Sequence, residues 1–384
     1  MMNDNRIKIV ISGVEGVNKG AELMLYSILR EIEKKHPDAV VYLPISQFPK
    51  GLGYIRTSLE LRQSPDKLVR FLGKHHITGI LGRLGFRSDY LYNLYPIKDA
   101  AYYLDASGLY FSDQMITSDV IAKDLEKLLK RYHQQGTKII YLPQAFGPFQ
   151  EQASKAAVDV ALKYSDLVMA RDDQSLSYLT SRPNSSDKVC KHFDFTGVLS
   201  GSCPPEYEWL AGRVCIILNS QVIRKGIMTS SEYLTLMDHI VQTVYNNGHK
   251  AFLLDHANDI DLIHQFLGMT SYDLPVVSGV DALAVKGIIS QSYLCISSRF
   301  HGVVSSFSSC VPCLTTSWNH KYQELLKLYN MEDSLLSGSQ EECISRVKDF
   351  LSKRVNDELR NKLREKKELV HHDIEDMWET VWSI

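Results

Sequence analysis

The stretch IKIVISGVEGVNKGAELMLYSILREIEKKHPDAVVYLP, residues 7–44, decides the fold class of this chain. Residues 7–12 begin with a charged residue between apolar ones and continue as an apolar run, which predicts a buried β-strand. Residues 39–43 predict a second strand that ends at Pro44. Between them, residues 21–35 carry Leu and Ile side chains at helical spacing. A strand–loop–helix–strand order is a βαβ unit, so we predict a parallel sheet with both faces covered.

The same alternation continues along the rest of the chain. Further strands are predicted at residues 101–104, 138–142, 167–170, 214–218, 251–254, 276–277 and 293–296, and further helices at residues 119–134, 152–164, 231–246 and 282–289. We therefore predict an α/β protein with two doubly wound, Rossmann-like parallel-sheet domains that face each other across a cleft. The Gly/Ser/Pro-rich residues 199–205 predict a linker between them.

The predicted domains are residues 1–205 and residues 206–340, and residues 341–384 form a charged helical tail that packs back on the first domain. The chain length of 384 residues agrees with two domains, because a single core rarely grows that large.

The formal net charge of −2 argues against nucleic-acid binding, which needs a strongly basic face. No stretch approaches the ~18 apolar residues of a membrane-spanning helix. With no export signal in residues 1–6, we expect a cytoplasmic protein.

The seven cysteines show no paired framework, so reduced thiols are expected. Cys310 and Cys313 have CxxC spacing, but no second such pair and no histidine at zinc-finger spacing accompanies them. We predict that they form a buried structural pair, and we predict no metal site anywhere in the chain.

Residues 293–302 place a guanidinium and an imidazole at the end of a predicted strand. The apolar run ends in two serines, followed by Arg299, His301 and Gly302, where a new helix is expected to begin. The first N–H groups of that helix have no partner inside it and point at the same place. An arginine binds phosphate or carboxylate through two parallel N–H bonds, and an imidazole with a pKa near ~6.5 exchanges protons at neutral pH. The sequence therefore predicts an anion site beside a proton donor.

Each of these two side chains also has a structural alternative. Arg299 is equally suited to pairing with a carboxylate at a domain interface, and His301 is suited to capping the helix that follows. Residue types alone leave both alternatives open.

The loop at residues 13–20 holds three glycines, but their spacing matches neither a dinucleotide fingerprint nor a P-loop. We therefore predict neither a dinucleotide nor ATP. Asn18, Lys19 and Gly20 at the helix start can hold sugar hydroxyls or a diphosphate, and Glu22 can act as a base for an acceptor hydroxyl. A tight turn that needs glycine, with a favourable charge at the helix start, is the structural alternative.

Two further candidates follow predicted strands of the first domain. Gln144 lies in the strand-end segment 143–148, and Arg171 is placed to take a donor carboxylate at the carboxyl edge of the sheet. A salt bridge from Arg171 to Asp172 or Asp173 is the alternative.

In the second domain, Asn219, Arg224 and Lys225 follow a predicted strand and are candidates for the phosphate of a donor. A solvated basic pair is an equally good explanation of Arg224 and Lys225. Lys321 follows Trp318 by three residues and is placed to close over the donor, with an aromatic packing cluster at the domain seam as the competing account.

Taken in chain order, these pieces resemble the polysaccharide pyruvyl transferase family, which has a GT-B-like fold. The pieces are Gly13 with Asn18–Glu22, Pro143–Pro148, Arg171-Asp172 with Ser175, Ser298–Gly302, Val311-Pro312, Trp318 and Lys321-Tyr322. The chain departs from the family pattern in having Phe300 between the Arg and the His, and Cys310 before Val-Pro. It also has Asp105-Ala-Ser-Gly108 where a glycine-rich strand end is common. The last difference alters the expected shape of the acceptor site.

The resemblance implies a transferase that moves the enolpyruvyl group of phosphoenolpyruvate onto two sugar hydroxyls, forming a pyruvate ketal and releasing phosphate. It implies a saccharide acceptor of the galactose type in a bacterial capsular or exopolysaccharide precursor, either polymeric or linked to a lipid diphosphate at the inner face of the membrane. The donor is expected on the second domain and the acceptor on the first. No cofactor is expected, and other polysaccharide-assembly enzymes are expected partners.

On that basis His301, Arg299 and Arg171 are the predicted catalytic residues. Two other functions share the fold and stay open: a sugar-nucleotide-dependent GT-B glycosyltransferase, and a non-catalytic carbohydrate-binding partner in an assembly complex.

Overall fold

The computed structural model describes residues 6–44, 47–48, 51–64, 97–185, 187–316 and 320–384. These residues form two compact units. The first comprises Met1–Gly16, Met24–Phe195 and Glu375–Ile384, and the second comprises Val17–Leu23 and Thr196–Ile374. The chain therefore passes between units within its first long helix and again within its last.

The first unit is built on a parallel sheet. In sheet order its described strands are β3 (Glu60–Ser64), β2 (Val40–Pro44), β1 (Lys8–Ser12), β4 (Tyr102–Asp105), β5 (Lys138–Gln144), β6 (Leu167–Ala170) and β7 (Val189–Lys191). The register is parallel throughout, and Ile9 lies opposite Val41 on one side and Tyr102 on the other. Both Ile9 and Val41 are fully buried, as expected for strands covered on both faces.

Four described helices connect these strands: α1 (Lys19–Lys35), α2 (Asp119–Gln134), α3 (Gln152–Tyr164) and α4 (Asp173–Thr180). Local chemistry fixes their starts. The Ser118 side chain caps α2 by accepting the N–H of Val120, and the Asp172 carboxylate caps α4 by accepting the N–H of Ser175. The apolar faces of α2 and α3 pack with the sheet in one core that includes Leu129.

The second unit repeats the design on a smaller sheet. In sheet order its described strands are β10 (Val276–Val277), β9 (Ala251–Leu254), β8 (Val214–Ile217), β11 (Leu294–Ser297) and β12 (Cys313–Leu314), again in parallel register. The described helices from this point on are α5 (Ser220–Arg224), α6 (Ser230–Asn246), α7 (Ile260–Leu267), α8 (Ala282–Ser290), α9 (Phe300–Ser308), α10 (His320–Leu328), α11 (Gln340–Leu351) and α12 (Lys353–Ser383). The predicted fold class, two doubly wound parallel-sheet domains with a C-terminal helical segment, is confirmed.

The last helix, α12, contributes to both units. Arg360 donates hydrogen bonds to the carbonyls of Ser292 and Tyr293 in the second unit. The final ten residues group with the first unit, where the Trp382 ring packs edge-on against Tyr102 at 5.4 Å. Trp378 is buried and packs against Phe195 at 5.9 Å.

The sequence-based prediction for the cysteines needs correction. All seven are free thiols, but Cys310 is only half-buried and lies in a turn at φ 57°. Cys313 lies in register with Cys295 on the neighbouring strand β11 and is buried there. The predicted buried pair of Cys310 and Cys313 is therefore wrong for Cys310.

Each sheet has a topological switch point, where the strand order reverses. In the first sheet it lies between β1 and β4, and in the second between β8 and β11. Ligands of open α/β sheets bind outside the carboxyl ends of the strands at such points. In the second unit, the residues that follow β8 and β11 are Leu218-Asn219 and Ser298-Arg299.

Candidate active site

Ser298, which follows β11 at the switch point of the second unit, is held by several hydrogen bonds. Its carbonyl accepts hydrogen bonds from the Asn219 side-chain amide at 2.6 Å and from the Tyr322 hydroxyl at 2.8 Å. Its hydroxyl accepts a hydrogen bond from Thr316 at 2.7 Å and lies 3.3 Å from the Tyr233 hydroxyl. All of these groups are buried, so the backbone that carries the next residue is held rigidly.

Asn219 is thus fully engaged in structure. Besides the bond to Ser298, its side-chain oxygen accepts the N–H of Gln221 and caps α5. Its contact with substrate stays a prediction, and its described contacts position the neighbouring strand end.

Arg299 is the N-cap residue of α9 and extends its side chain towards Asp259. The two form an ion pair in which Asp259 is 4% and Arg299 16% exposed at the side chain. Asp259 belongs to the same unit, so this partner is not the domain-interface carboxylate considered above. The Arg299 Nε atom is buried and has no hydrogen-bond partner among the described residues. One edge of the guanidinium therefore stays available to an anion.

His301 lies in the first turn of α9, two residues beyond Arg299, and packs against the start of α1. A Cβ atom on Gly20 would overlap the His301 imidazole ring, so only glycine permits this approach. Asn18 caps the same turn of α1, because its side-chain oxygen accepts the Gly20 N–H at 3.0 Å. Asn18 and Gly20 thus form the turn against which the imidazole rests.

Lys19 and Glu22 form a partly buried ion pair on that same turn. The Lys19 ammonium lies 2.7 Å from the Glu22 carboxylate, which is fully buried. Burial raises the pKa of Glu22, and the hydrogen bond from Lys19 together with the nearby N–H of Ala282 opposes the rise. Glu22 therefore holds a proton more readily than an ordinary glutamate.

His256 belongs to this cluster, although it follows a predicted strand end and is not among the predicted site residues. The Lys19 N–H donates to its carbonyl at 3.1 Å, and its side chain is buried two residues after the end of β9. Burial, followed by the positive charges of Arg299, His301 and Lys19, lowers its pKa well below the usual value. Its position two residues after the predicted strand 251–254 was the available signal.

Lys321 lies beside the same helix turn. Its ammonium is 5.1 Å from the centre of the Phe300 ring and 5.8 Å from that of Tyr322, which are cation–π distances. The structure therefore places Lys321 next to the Arg299–His301 segment. Trp318, quoted above as part of the family motif, lies outside the described residues.

Arg224 and Lys225 lie at the opposite end of α5 from Asn219. Both side chains are exposed at the C-terminal end of this short helix. This position agrees with the alternative of a solvated basic pair, and their contact with phosphate stays a prediction.

The first unit carries its own polar cluster at the carboxyl ends of β4 and β5. The Gln144 amide donates to the Asp105 carboxylate at 3.1 Å, and both residues are buried. Burial raises the pKa of Asp105, while hydrogen bonds from Ser107, Gln144 and Ser12 oppose the rise. The Gln144 Oε1 atom is buried without a hydrogen-bond partner in the described part of the chain.

Arg171 belongs to this first-unit cluster and pairs with Asp194. The two charged groups are 2.9 Å apart and nearly inaccessible to solvent. Asp194 is therefore an ion-pair partner of Arg171 beyond the two neighbours considered above, of which Asp172 caps α4 and Asp173 pairs with Lys191.

The geometry thus joins Arg299, His301, Lys19 and Gly20 in the second unit, and Gln144 with Asp105 in the first. A family model supplies the decisive comparison: polysaccharide pyruvyl transferase matches residues 18–320. The chain belongs to the polysaccharide pyruvyl transferase family. Membership in this family makes the protein a transferase. A comparison with curated proteins found no match for this pyruvyl transferase family member.

Solved structures similar to this pyruvyl transferase family member are GT-B fold enzymes. UDP-GlcNAc 2-epimerase from Neisseria meningitidis bound to UDP-GlcNAc shares 9% identity with a TM-score of 0.57, covering 99% of this chain and 100% of the other. The corresponding enzyme from Methanocaldococcus jannaschii shares 10% identity with a TM-score of 0.55, covering 91% and 94%. Phytolacca americana UGT2, complexed with UDP-2fluoro-glucose and pterostilbene, shares 11% identity with a TM-score of 0.54, covering 99% and 100%. At these identities the likeness establishes the fold alone.

Within the described ranges, no helix of this pyruvyl transferase family member combines the length and apolar character that crossing a bilayer requires.

The contact between Gly20 and the His301 ring can be tested by substitution. In Gly20→Ala the added methyl group pushes the imidazole away, and a misplacement of about 1 Å can cost ~100-fold in rate. We expect turnover to fall at least tenfold, with the far-UV circular dichroism spectrum unchanged. Gly53→Ala is the matched control, because nothing lies within 4 Å of a Cβ atom there. Equal activity of the two variants would contradict the contact.

Proposed function

We propose that the protein transfers the enolpyruvyl group of phosphoenolpyruvate onto two hydroxyls of a galactose-type sugar in a capsular or exopolysaccharide precursor. The products are a cyclic pyruvate ketal and phosphate. One observation carries the proposal: Arg299, with its buried Nε atom unpaired, lies at the N-terminus of α9 beside His301, in a chain that belongs to the pyruvyl transferase family.

The charges of the donor match this cluster. Phosphoenolpyruvate carries a phosphate and a carboxylate, so it needs fixed positive groups in a place shielded from water. Arg299 supplies a guanidinium that stays charged, and the first N–H groups of the nine-residue helix α9 supply further donors. Lys19 and Lys321 add positive charge around the same turn. An acidic partner, Asp259, holds the guanidinium in place, and the unpaired Nε edge meets the substrate.

His301 is the proposed proton donor. Its imidazolium gives a proton to the methylene carbon of the donor, whose double-bond electrons form the new C–H bond and leave a cationic centre at the adjacent carbon. The first sugar hydroxyl adds to that centre, and its proton returns to the imidazole. The bond between carbon and phosphate oxygen then breaks, and its electron pair leaves with phosphate. The second hydroxyl adds to the cationic carbon that remains, gives its proton to the released phosphate, and closes the ketal.

The polar cluster of the first unit supports the acceptor assignment. Sugar hydroxyls both donate and accept hydrogen bonds, and a carboxylate beside an amide offers the matching groups. Gln144 Oε1 is buried without a hydrogen-bond partner in the described chain, so this oxygen can accept a hydrogen bond from a sugar hydroxyl. We therefore propose this cluster as part of the acceptor site. An acceptor linked to a lipid diphosphate at the inner membrane face, and association with other assembly enzymes, extend the same proposal.

The test is direct chemistry with the purified protein. Phosphoenolpyruvate and a galactose-containing acceptor are incubated with it, and phosphate release and acceptor mass are followed together. The expected result is phosphate released in step with an acceptor that gains one pyruvate less one water. A parallel reaction replaces phosphoenolpyruvate with UDP-galactose. Hexose transfer there, with no ketal formed from phosphoenolpyruvate on any of a panel of galactosides and glucosides, would reject the proposal in favour of a glycosyltransferase.

A further inference from the structure

His256 is buried, with 1% of its surface exposed, and neither of its ring nitrogens has a hydrogen-bond partner among the described residues. Leaving a buried polar group unpaired costs about 1–3 kcal/mol. Most buried polar side-chain atoms in native proteins therefore have a partner. A side chain of this kind, at the carboxyl end of β9 in a doubly wound sheet, points to a ligand that completes its hydrogen bonds.

The positive groups around His256 come from two elements. Lys19 lies on the first turn of α1, where its N–H bonds to the His256 carbonyl. Arg299 and His301 lie on the first turn of α9, and both act electrostatically on the His256 ring. The charge that would complement this group is therefore negative.

The negative groups around His256 already have hydrogen-bond or ion-pair partners, and one Glu22 oxygen is the exception. Glu22 accepts from Lys19, and Asp259 pairs with Arg299. Asp255 accepts the backbone N–H groups of Ala257 and Asp259 at 3.3 and 2.9 Å. The buried atoms of this cluster without a hydrogen-bond partner in the described chain include the two His256 nitrogens, Arg299 Nε and Glu22 Oε1. The first three are proton donors or proton carriers, and burial raises the pKa of Glu22, so its charged form is disfavoured there.

We infer that His256 directly binds the phosphate group of the donor and takes up a proton when this tetrahedral dianion binds. The inference deepens the proposed function, on which the identity of the donor rests. It assigns His256 as a substrate-binding residue and adds a proton to the binding equilibrium.

The direction of the proton transfer follows from charge. In the free protein, burial and the three neighbouring positive groups lower the pKa of His256 well below its usual value, so the ring is neutral near pH 7. A dianion in contact with the ring favours its charged form and raises the pKa. Proton uptake is therefore expected near neutral pH, and it disappears at low pH, where His256 is already protonated in the free protein.

Sulfate is the test ligand, because it is a tetrahedral dianion that carries no proton of its own near neutral pH. Its binding enthalpy is measured calorimetrically with the full-length protein at pH 7 in buffers of different ionisation enthalpy, and the slope gives the protons taken up. The same titration in ¹⁵N-histidine-labelled protein reports the ring nitrogens of His256. We expect uptake approaching one proton per sulfate and a shift of the His256 signal towards the charged form.

Variants separate His256 from its neighbour. His256→Gln keeps hydrogen-bonding groups but cannot titrate, and we expect it to lose the uptake and to bind sulfate about tenfold more weakly. His301→Gln should keep the uptake. His249→Gln is the matched control in the same unit, since His249 stacks on Tyr293 at 4.5 Å, outside the cluster. If His256→Gln does not fold, the nitrogen signals of the wild-type protein decide alone.

The outcomes distinguish this inference from the proposed function. Sulfate binding without proton uptake, or no sulfate binding at all, overturns the inference, even if the protein forms ketals from phosphoenolpyruvate. Proton uptake by His256 in a protein that forms no ketal keeps the anion site and rejects the pyruvyl donor.

Discussion

Replacing His301 by alanine is expected to abolish ketal formation while leaving the fold intact. The imidazole is the proposed source of the proton for the donor carbon, and general acid catalysis contributes about 10²–10⁴-fold to rate. The side chain is half-buried at the start of α9 and rests on Gly20, so its removal opens no large core cavity. The measurement is phosphate release with a saturating galactoside, beside far-UV circular dichroism and thermal unfolding.

His264→Ala provides the control, because His264 is exposed on α7. It should keep wild-type turnover and the same unfolding transition. Wild-type turnover in His301→Ala would remove the proton donor from the mechanism and with it the central role given to this residue.

Replacing Arg299 by lysine is expected to raise KM for phosphoenolpyruvate by about 10–100-fold, because charge-assisted hydrogen bonds contribute ~1.5–3 kcal/mol. Lysine keeps the positive charge and can still reach Asp259, but it lacks the planar fork whose Nε edge is unpaired. The change should therefore appear in donor binding more than in stability. Steady-state kinetics with varied donor at fixed acceptor measure it.

A neutral substitution tests the two roles of Arg299 separately. Arg299→Gln leaves the buried Asp259 carboxylate without its partner, so this variant should be less stable as well as weaker in donor binding. The double variant Arg299→Gln with Asp259→Asn removes both charges and should recover much of the lost stability without recovering donor binding. An unchanged KM in Arg299→Lys would show that the guanidinium serves structure alone.

The fold was predictable where local chemistry and hydrophobic pattern agree. Helix α2 has the predicted limits 119–134, because a serine caps it and its apolar residues recur at helical spacing. Strand β3 was missed because its sequence, ELRQS, is charged and lies at the sheet edge, where pairing with β2 defines the strand. Strand β12, Cys313–Leu314, was missed because its pairing with β11, and no pattern in its sequence, defines it as a strand.

The candidate site was predictable where charged residue types coincide with a predicted strand end, as for Arg299 and His301, which the structure places at the start of one helix. It was less predictable where the argument depends on a buried side chain that has no hydrogen-bond partner. The sequence around His256 does not indicate that both ring nitrogens are buried without hydrogen-bond partners in the described chain. Their burial results from the packing of segments that are distant in the sequence. Charge alone singled out Arg224 and Lys225, which lie exposed at the far end of α5.

The grouping of Val17–Leu23 with the second unit has a practical consequence for dissecting this enzyme. A fragment cut at the apparent boundary, from Thr196 to Ile374, would include His301 and His256. It would lack Gly20, on which the His301 imidazole rests, and Lys19, whose N–H bonds to the His256 carbonyl. Such a piece would carry an incomplete candidate site even if it folded well. Rebuilding activity from separately expressed halves therefore requires grafting the seven-residue segment back, and a circularly permuted gene is a more natural design than a simple truncation.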